Sequence, residues 1–303
     1  MANYNGYTSA EKNHALCRKD LDFIPNGNFI SNGYEESQNM QFLKVNGLTC
    51  FWKTEQDFSV NTLVGDILNS TVRHGVPFAY VIIGNKNGID IYIGTMKLLR
   101  DALRSSYESV FPGIDIEYVS DNPLRTSPRE YGGMFMGIPT DKLETEKKSF
   151  QIENICRGMQ GKNFTYVILA SGISSIAVTL GHERILEEME SVFTLINQTI
   201  SGGAQGNLSA QKQDFYSKNY FDNLEVLEQM LKIGTARGMW RVNGYFASDN
   251  AMDAKQLGNI IKASYSGEKS KPEPFRVIDY NSIKDVISNT YMMADLVENP
   301  ELH

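Results

Sequence analysis

The chain has 303 residues, a formal net charge of −7 and a pI of about 5.3; 41% of its residues are hydrophobic and 21% are charged. That apolar content builds a sizeable core and excludes wholesale disorder. The acidic balance excludes a protein that coats nucleic acid over its whole surface.

Residues 1–37 are polar and rich in Asn and Gly, and read as a poorly ordered arm or loosely packed strands. Phe42 to Val45 and Leu48 to Trp52 read as strands around an Asn46-Gly47 turn, and Phe58 to Val72 as a helix. Pro77–Ile83 and Ile89–Ile93 flank GNKNG, whose Asn87-Gly88 suits a tight hairpin turn. Met96, Leu99, Leu103, Tyr107 and Val110 recur at helical spacing up to Pro112-Gly113. Ile114–Val119 alternates as a strand, 120–133 reads as a loop and Met134–Ile138 as a short strand. Lys142–Gly161 becomes helical toward its end.

Phe164–Ala170 is a near-continuous apolar run, as in a strand covered on both faces. A long helix follows, with Ile185, Met189, Val192 and Ile196 on one face. Residues 201–214 read as a flexible loop, and Phe221, Leu224, Leu227 and Leu231 mark a second helix, so the pair forms a helical hairpin. Met239–Ala247 is a strand. Ser248 or Asp249 then caps a helix with the stripe Leu257, Ile260, Ile261 and Tyr265. Phe275–Tyr280 is a strand, and Ile283, Val286, Ile287 and Tyr291 mark a last helix. The expected class is α+β, or mixed α/β. Its parts are an arm over 1–37, a hairpin-helix-strand subdomain over 38–140 and a second subdomain over 141–303, each subdomain with its own small sheet.

Three cysteines, Cys17, Cys50 and Cys156, lie far apart, which fits free thiols and neither a disulfide framework nor a zinc site. The N-terminus lacks the pattern of a signal peptide, and no run reaches the ~20 apolar residues of a spanning helix. A cytoplasmic protein is expected.

No catalytic motif is complete. The phosphate loop GxxxxGK[ST] is absent, and Ser266-Gly267-Glu268-Lys269-Ser270 lacks its spacing. Gly202–Gly206 is not GxGxxG. His182-Glu183-Arg184-Ile185-Leu186 starts like HExxH but ends in Leu186. Gly172-Ile173-Ser174 starts like a nucleophile elbow but lacks the closing Gly. Carboxylate pairs such as Asp115 with Glu117 read as solvated faces. Arg237 and Arg241 flank Trp240, and these three are the candidate contacts to nucleic acid or to a partner. Catalytic, cofactor and metal residues are expected to be absent.

Several segments recur in a familiar order: PFAYVIIGNKNGIDIYIG, a helix, FPGIDIEYV, FTYVILASG, two helices around SGGAQGNLSAQKQ, ARGMWRVNGYFAS, a helix, and KPEPFRVID. This order resembles the region that precedes the motor in HerA/FtsK-type ATP-binding proteins, a group that includes bacterial type IV secretion ATPases. The likeness covers roughly residues 75–300. It implies an accessory module that helps subunits associate and positions a partner. ATP and Mg²⁺ are expected only in a motor domain outside this chain. None of the motor's functional residues has a counterpart here, so the chain reads as an N-terminal piece of a longer translocase. The alternative is a stand-alone structural or protein-interaction component of a secretion or phage-like assembly. Self-association and protein partners are expected, nucleic acid only through the Arg-Trp-Arg trio.

Overall fold

The computed structural model describes residues 8–17, 34–36, 40–47, 67, 76–139, 151–196, 199–200, 210–211, 215–267, 270–280, 282–284, 287 and 291–293. In chain order the elements are α1 (Ser9–Leu16), β1 (Tyr34–Glu36), β2 (Met40–Gly47), β3 (Pro77–Asn85), β4 (Gly88–Met96), α2 (Arg100–Val110), β5 (Asp115–Tyr118) and the single turn α3 (Pro123–Thr126). They continue as β6 (Tyr131–Met136), α4 (Gln151–Gly158), β7 (Phe164–Ile173), α5 (Ser175–Ile196), β8 (Thr199–Ile200), β9 (Ala210–Gln211) and α6 (Phe215–Arg237). Last come β10 (Met239–Ser248), α7 (Ala251–Tyr265), β11 (Arg276–Tyr280) and β12 (Tyr291–Met293).

The class is α+β: among the described residues, eight antiparallel strands form one sheet in the order β11-β6-β10-β7-β3-β4-β2-β5. The expected division into two small sheets is corrected by the β3–β7 ladder, which runs from Pro77↔Ser171 to Gly84↔Phe164. The cause lies in the two strands. Both are buried along most of their length, and leaving either as the edge of a small sheet would present an apolar edge to water. Pairing them satisfies both backbones and joins the halves.

Each sheet face has its own cover. On one face, Leu103, Tyr107 and Phe111 of α2 and the residue after it pack on Leu43, Phe78, Ile93 and Ile116. Ile155 of α4 and Leu257 and Ile261 of α7 cover Ile82, Phe135, Tyr166 and Phe246. On the other face, Val81, Val167, Leu169 and Tyr245 are covered by Leu124, Ile283 and Ile287. At ~1.5–3 kcal/mol for each large apolar side chain removed from water, these layers dominate the fold's stabilisation.

The Asn87-Gly88 hairpin forms as expected, with the Asn85 side chain accepting from the backbone N–H groups of Asn87 and Gly88. Three expectations are corrected. Strand β6 starts at Tyr131, inside the expected loop. The cap of α7 is Asn250, whose Oδ1 accepts from the Asp253 N–H at 2.8 Å, not Ser248 or Asp249; Ser248 still belongs to β10. Tyr291 lies in β12, paired with β1, and not on a terminal helix. Within the polar arm, Ser9–Leu16 is helical and Tyr34–Glu36 extended. The helix expected over 58–72, apart from the buried Ile67, and the loop over 201–214, apart from Ala210–Gln211, lie outside the described residues.

Candidate interaction surface

The helical hairpin grows out of the middle of the sheet. Strands β7 and β10 are paired up to Ile173↔Met239, and α5 and α6 are inserted between those two residues. Ser174 caps α5, its Oγ accepting from the Ala177 N–H at 3.1 Å. The serine of the incomplete nucleophile motif therefore serves as a helix cap. Gly238, at φ 88°, ends α6 in the left-handed conformation that glycine adopts without strain and turns the chain into β10. With 22 residues in α5 and 23 in α6, the arm is about 33 Å long.

Its interior is a conventional seam. Val178, Ile185 and Val192 of α5 pack on Tyr220, Leu224 and Leu231 of α6, and Ile173 and Met239 join this core to the sheet. One side of the arm is occupied by α1. Lys12 Nζ reaches Glu188 Oε1 at 2.7 Å, Ser9 Oγ meets Ser217 Oγ at 2.7 Å, and Asn223 Nδ2 donates to Asn13 Oδ1 at 2.7 Å.

The opposite side is open. Residues two apart on a helix point roughly 160° from each other, so Leu186 faces away from the α1 side that Glu188 marks. His182, Leu186 and Phe193 line this side, Leu186 and Phe193 one heptad apart, while Met189 between them packs on the arm's inner core. Leu186 is 45% and Phe193 57% exposed. On α6 the Phe221 ring packs beside it, its centre 6.2 Å from that of Phe193.

Toward the sheet this open face turns polar. Glu228, only 9% exposed in its side chain, lies 2.6 Å from Lys232 Nζ and 3.0 Å from His182 Nε2. The Lys232 hydrogen bond, then the His182 one, holds the Glu228 carboxyl below the ordinary carboxylate range. His182, the first residue of the broken HExxH, thus binds a carboxylate on the neighbouring helix. Among the described residues no group of three or more His, Cys, Asp and Glu could hold a metal ion.

Of the trio picked out by sequence, Trp240 and Arg241 are not brought together on one surface. Arg237 ends α6. Trp240 and Arg241 are neighbours in β10 and point to opposite faces of the sheet. Trp240 packs partly buried against the cluster of Phe78 and Ala170, and Arg241 is half-buried on the other face. One ligand cannot stack on this indole and meet this guanidinium on the same sheet surface. Asp115 and Glu117 are exposed on the edge strand β5, where Asn46 Nδ2 donates to Glu117 Oε2.

A cleft of about 490 Å³ lies between the β6–β11 end of the sheet and the start of α7. It is lined by Tyr131, Lys255 and Asp279, and burial raises the Asp279 carboxyl while Lys255 lowers it. Among the described residues no helix is long and apolar enough to cross a membrane. The chain matches no family model and no curated protein.

Proposed function

We propose that this chain is a non-catalytic assembly module of a HerA/FtsK-like translocase, and that the α5–α6 arm docks it to a protein partner. The observation that carries the reading is the exposed Leu186–Phe193 seam, set on a helical arm anchored in two central strands. Large apolar side chains aligned at heptad spacing and left in water suit a helical partner. The strand and helix order of residues 75–300 supports the translocase context through its resemblance to the pre-motor region. In that context ATP hydrolysis belongs to a motor and this chain supplies attachment.

The test is a photo-reactive amino acid placed at position 193 of the full chain in its native cell. The expected cross-link is to a protein of a P-loop motor assembly. Cross-links to nucleic acid, or none at all, would contradict the reading. The purified chain is expected to show no turnover of Mg-ATP.

A further inference from the structure

Resting on that docking role, we infer that the open face of the arm takes one particular kind of occupant: an amphipathic α-helix whose apolar stripe is flanked by Lys or Arg.

The shape comes from the seam. His182, Leu186 and Phe193 span about three helical turns, and Phe221 closes the far end from α6. A helix laid along them meets side chains at spacings of four and seven residues, which its own face repeats. An extended peptide places side chains on one face every ~6.7 Å and does not match that rhythm.

The sign comes from the rim. Glu190 follows Leu186 by four residues and Glu225 follows Phe221 by four, so each carboxylate stands beside an apolar knob. Both residues are exposed, and neither forms an ion pair among the described residues. Glu228, nearer the sheet on this face, is already neutralised by Lys232. Over the arm as a whole acidic residues outnumber basic ones by seven to four, with Lys218, Lys232 and Arg237 on α6 and Arg184 on α5. In α5, Glu183, Glu187, Glu188 and Glu190 stand against Arg184 alone. A second copy of this arm is disfavoured by the same charges, because face against face sets Glu190 and Glu225 among their own counterparts. A helix with basic flanks supplies the missing charge and is steered toward this face before contact.

The test uses a synthetic amphipathic helix about three heptads long, with Leu on its stripe and Lys on its flanks. Two controls are the same peptide with Glu flanks and a scrambled peptide of identical composition. Binding is read by fluorescence anisotropy with the full chain. The Lys-flanked helix is expected to bind at least about tenfold more tightly than either control, a difference of ~1.4 kcal/mol. Phe193→Glu should remove that advantage, whereas Phe215→Glu, at an exposed position off the seam, should not. The double variant Glu190→Lys, Glu225→Lys should reverse the preference toward the Glu-flanked peptide, which a misfolded arm could not do.

Equal binding of the scrambled peptide, no effect of Phe193→Glu, or an unchanged preference in the double variant would overturn the inference. So would sedimentation showing a dimer that Phe193→Glu dissolves, since a second copy would then cover this face. If the cross-linker at 193 captures a motor-assembly protein while the basic helix fails, the docking role stands and the basic-helix inference falls.

Discussion

Ile173 and Met239 are cross-strand partners at the end of the β7–β10 ladder, and the whole helical arm is inserted between them. The two connections leave and re-enter the sheet side by side. An insertion of this kind adds to a fold without changing its strand register, because the sheet's hydrogen bonds are complete on the near side of the junction. The sheet thereby acts as the scaffold and the arm as the attachment.

The first prediction concerns Glu228 and pH. Its carboxyl is held low by Lys232 and then by His182. A group whose pKa is depressed on folding contributes stability above its unfolded value, about 4.3, and loses that contribution as pH falls through the folded value. Thermal unfolding of the wild type should therefore lose more between pH 5 and about pH 3 than that of Glu228→Gln. Parallel curves for the two proteins would contradict the pairing.

The second concerns Gly133, which sits in β6 between β10 and β11. A Cβ there would overlap the carbonyl oxygen of Ile278 on β11. The obstacle is backbone, so no rotamer change relieves it. Gly133→Ala should cost roughly 3 kcal/mol, measured by urea unfolding, with protection from hydrogen exchange lost first in β11. A cost below about 1 kcal/mol would show that β11 moves freely.

Much of the scaffold is legible in the sequence because its signals are local. Asn87-Gly88 writes its own turn, and the stripe from Leu103 to Tyr107 writes the buried face of α2. The single sheet is not legible, since no local feature says that Val81 of β3 will face Val167 of β7. Helix α1 was readable and is missed by a reading based on hydrophobic stripes. Its stripe is negligible, but Thr8-Ser9-Ala10-Glu11 is a capping box, with Glu11 Oε2 accepting from the Thr8 N–H at 2.7 Å. In the site, the seven-residue spacing of Leu186 and Phe193 reads as helix. That it forms a second, outward seam depends on where α6 and α1 pack.

The third prediction concerns α1. Eight residues are too short to hold a helix alone, so α1 depends on its docking to α5 and α6. Those contacts are mainly polar, and the Arg276 guanidinium secures the Cys17 carbonyl at 2.8 Å. Lys12→Glu opposes Glu188 instead of pairing with it, and should cost no more than about 1 kcal/mol globally. Hydrogen exchange should nevertheless rise sharply at the amides of Lys12 and Cys17, which are bonded within α1. Unchanged exchange there would mean that α1 is held by something other than this seat.

The most direct measurement replaces the arm with a two-residue Asn-Gly turn joining Ile173 to Met239, and compares this variant with the wild type by near-ultraviolet circular dichroism and by the size of the complexes each forms in the native cell. The account predicts a folded variant with cooperative unfolding that is found free, while the wild type is found in a larger assembly. A folded variant that still enters the same assembly would contradict it, since the arm would then not be the attachment.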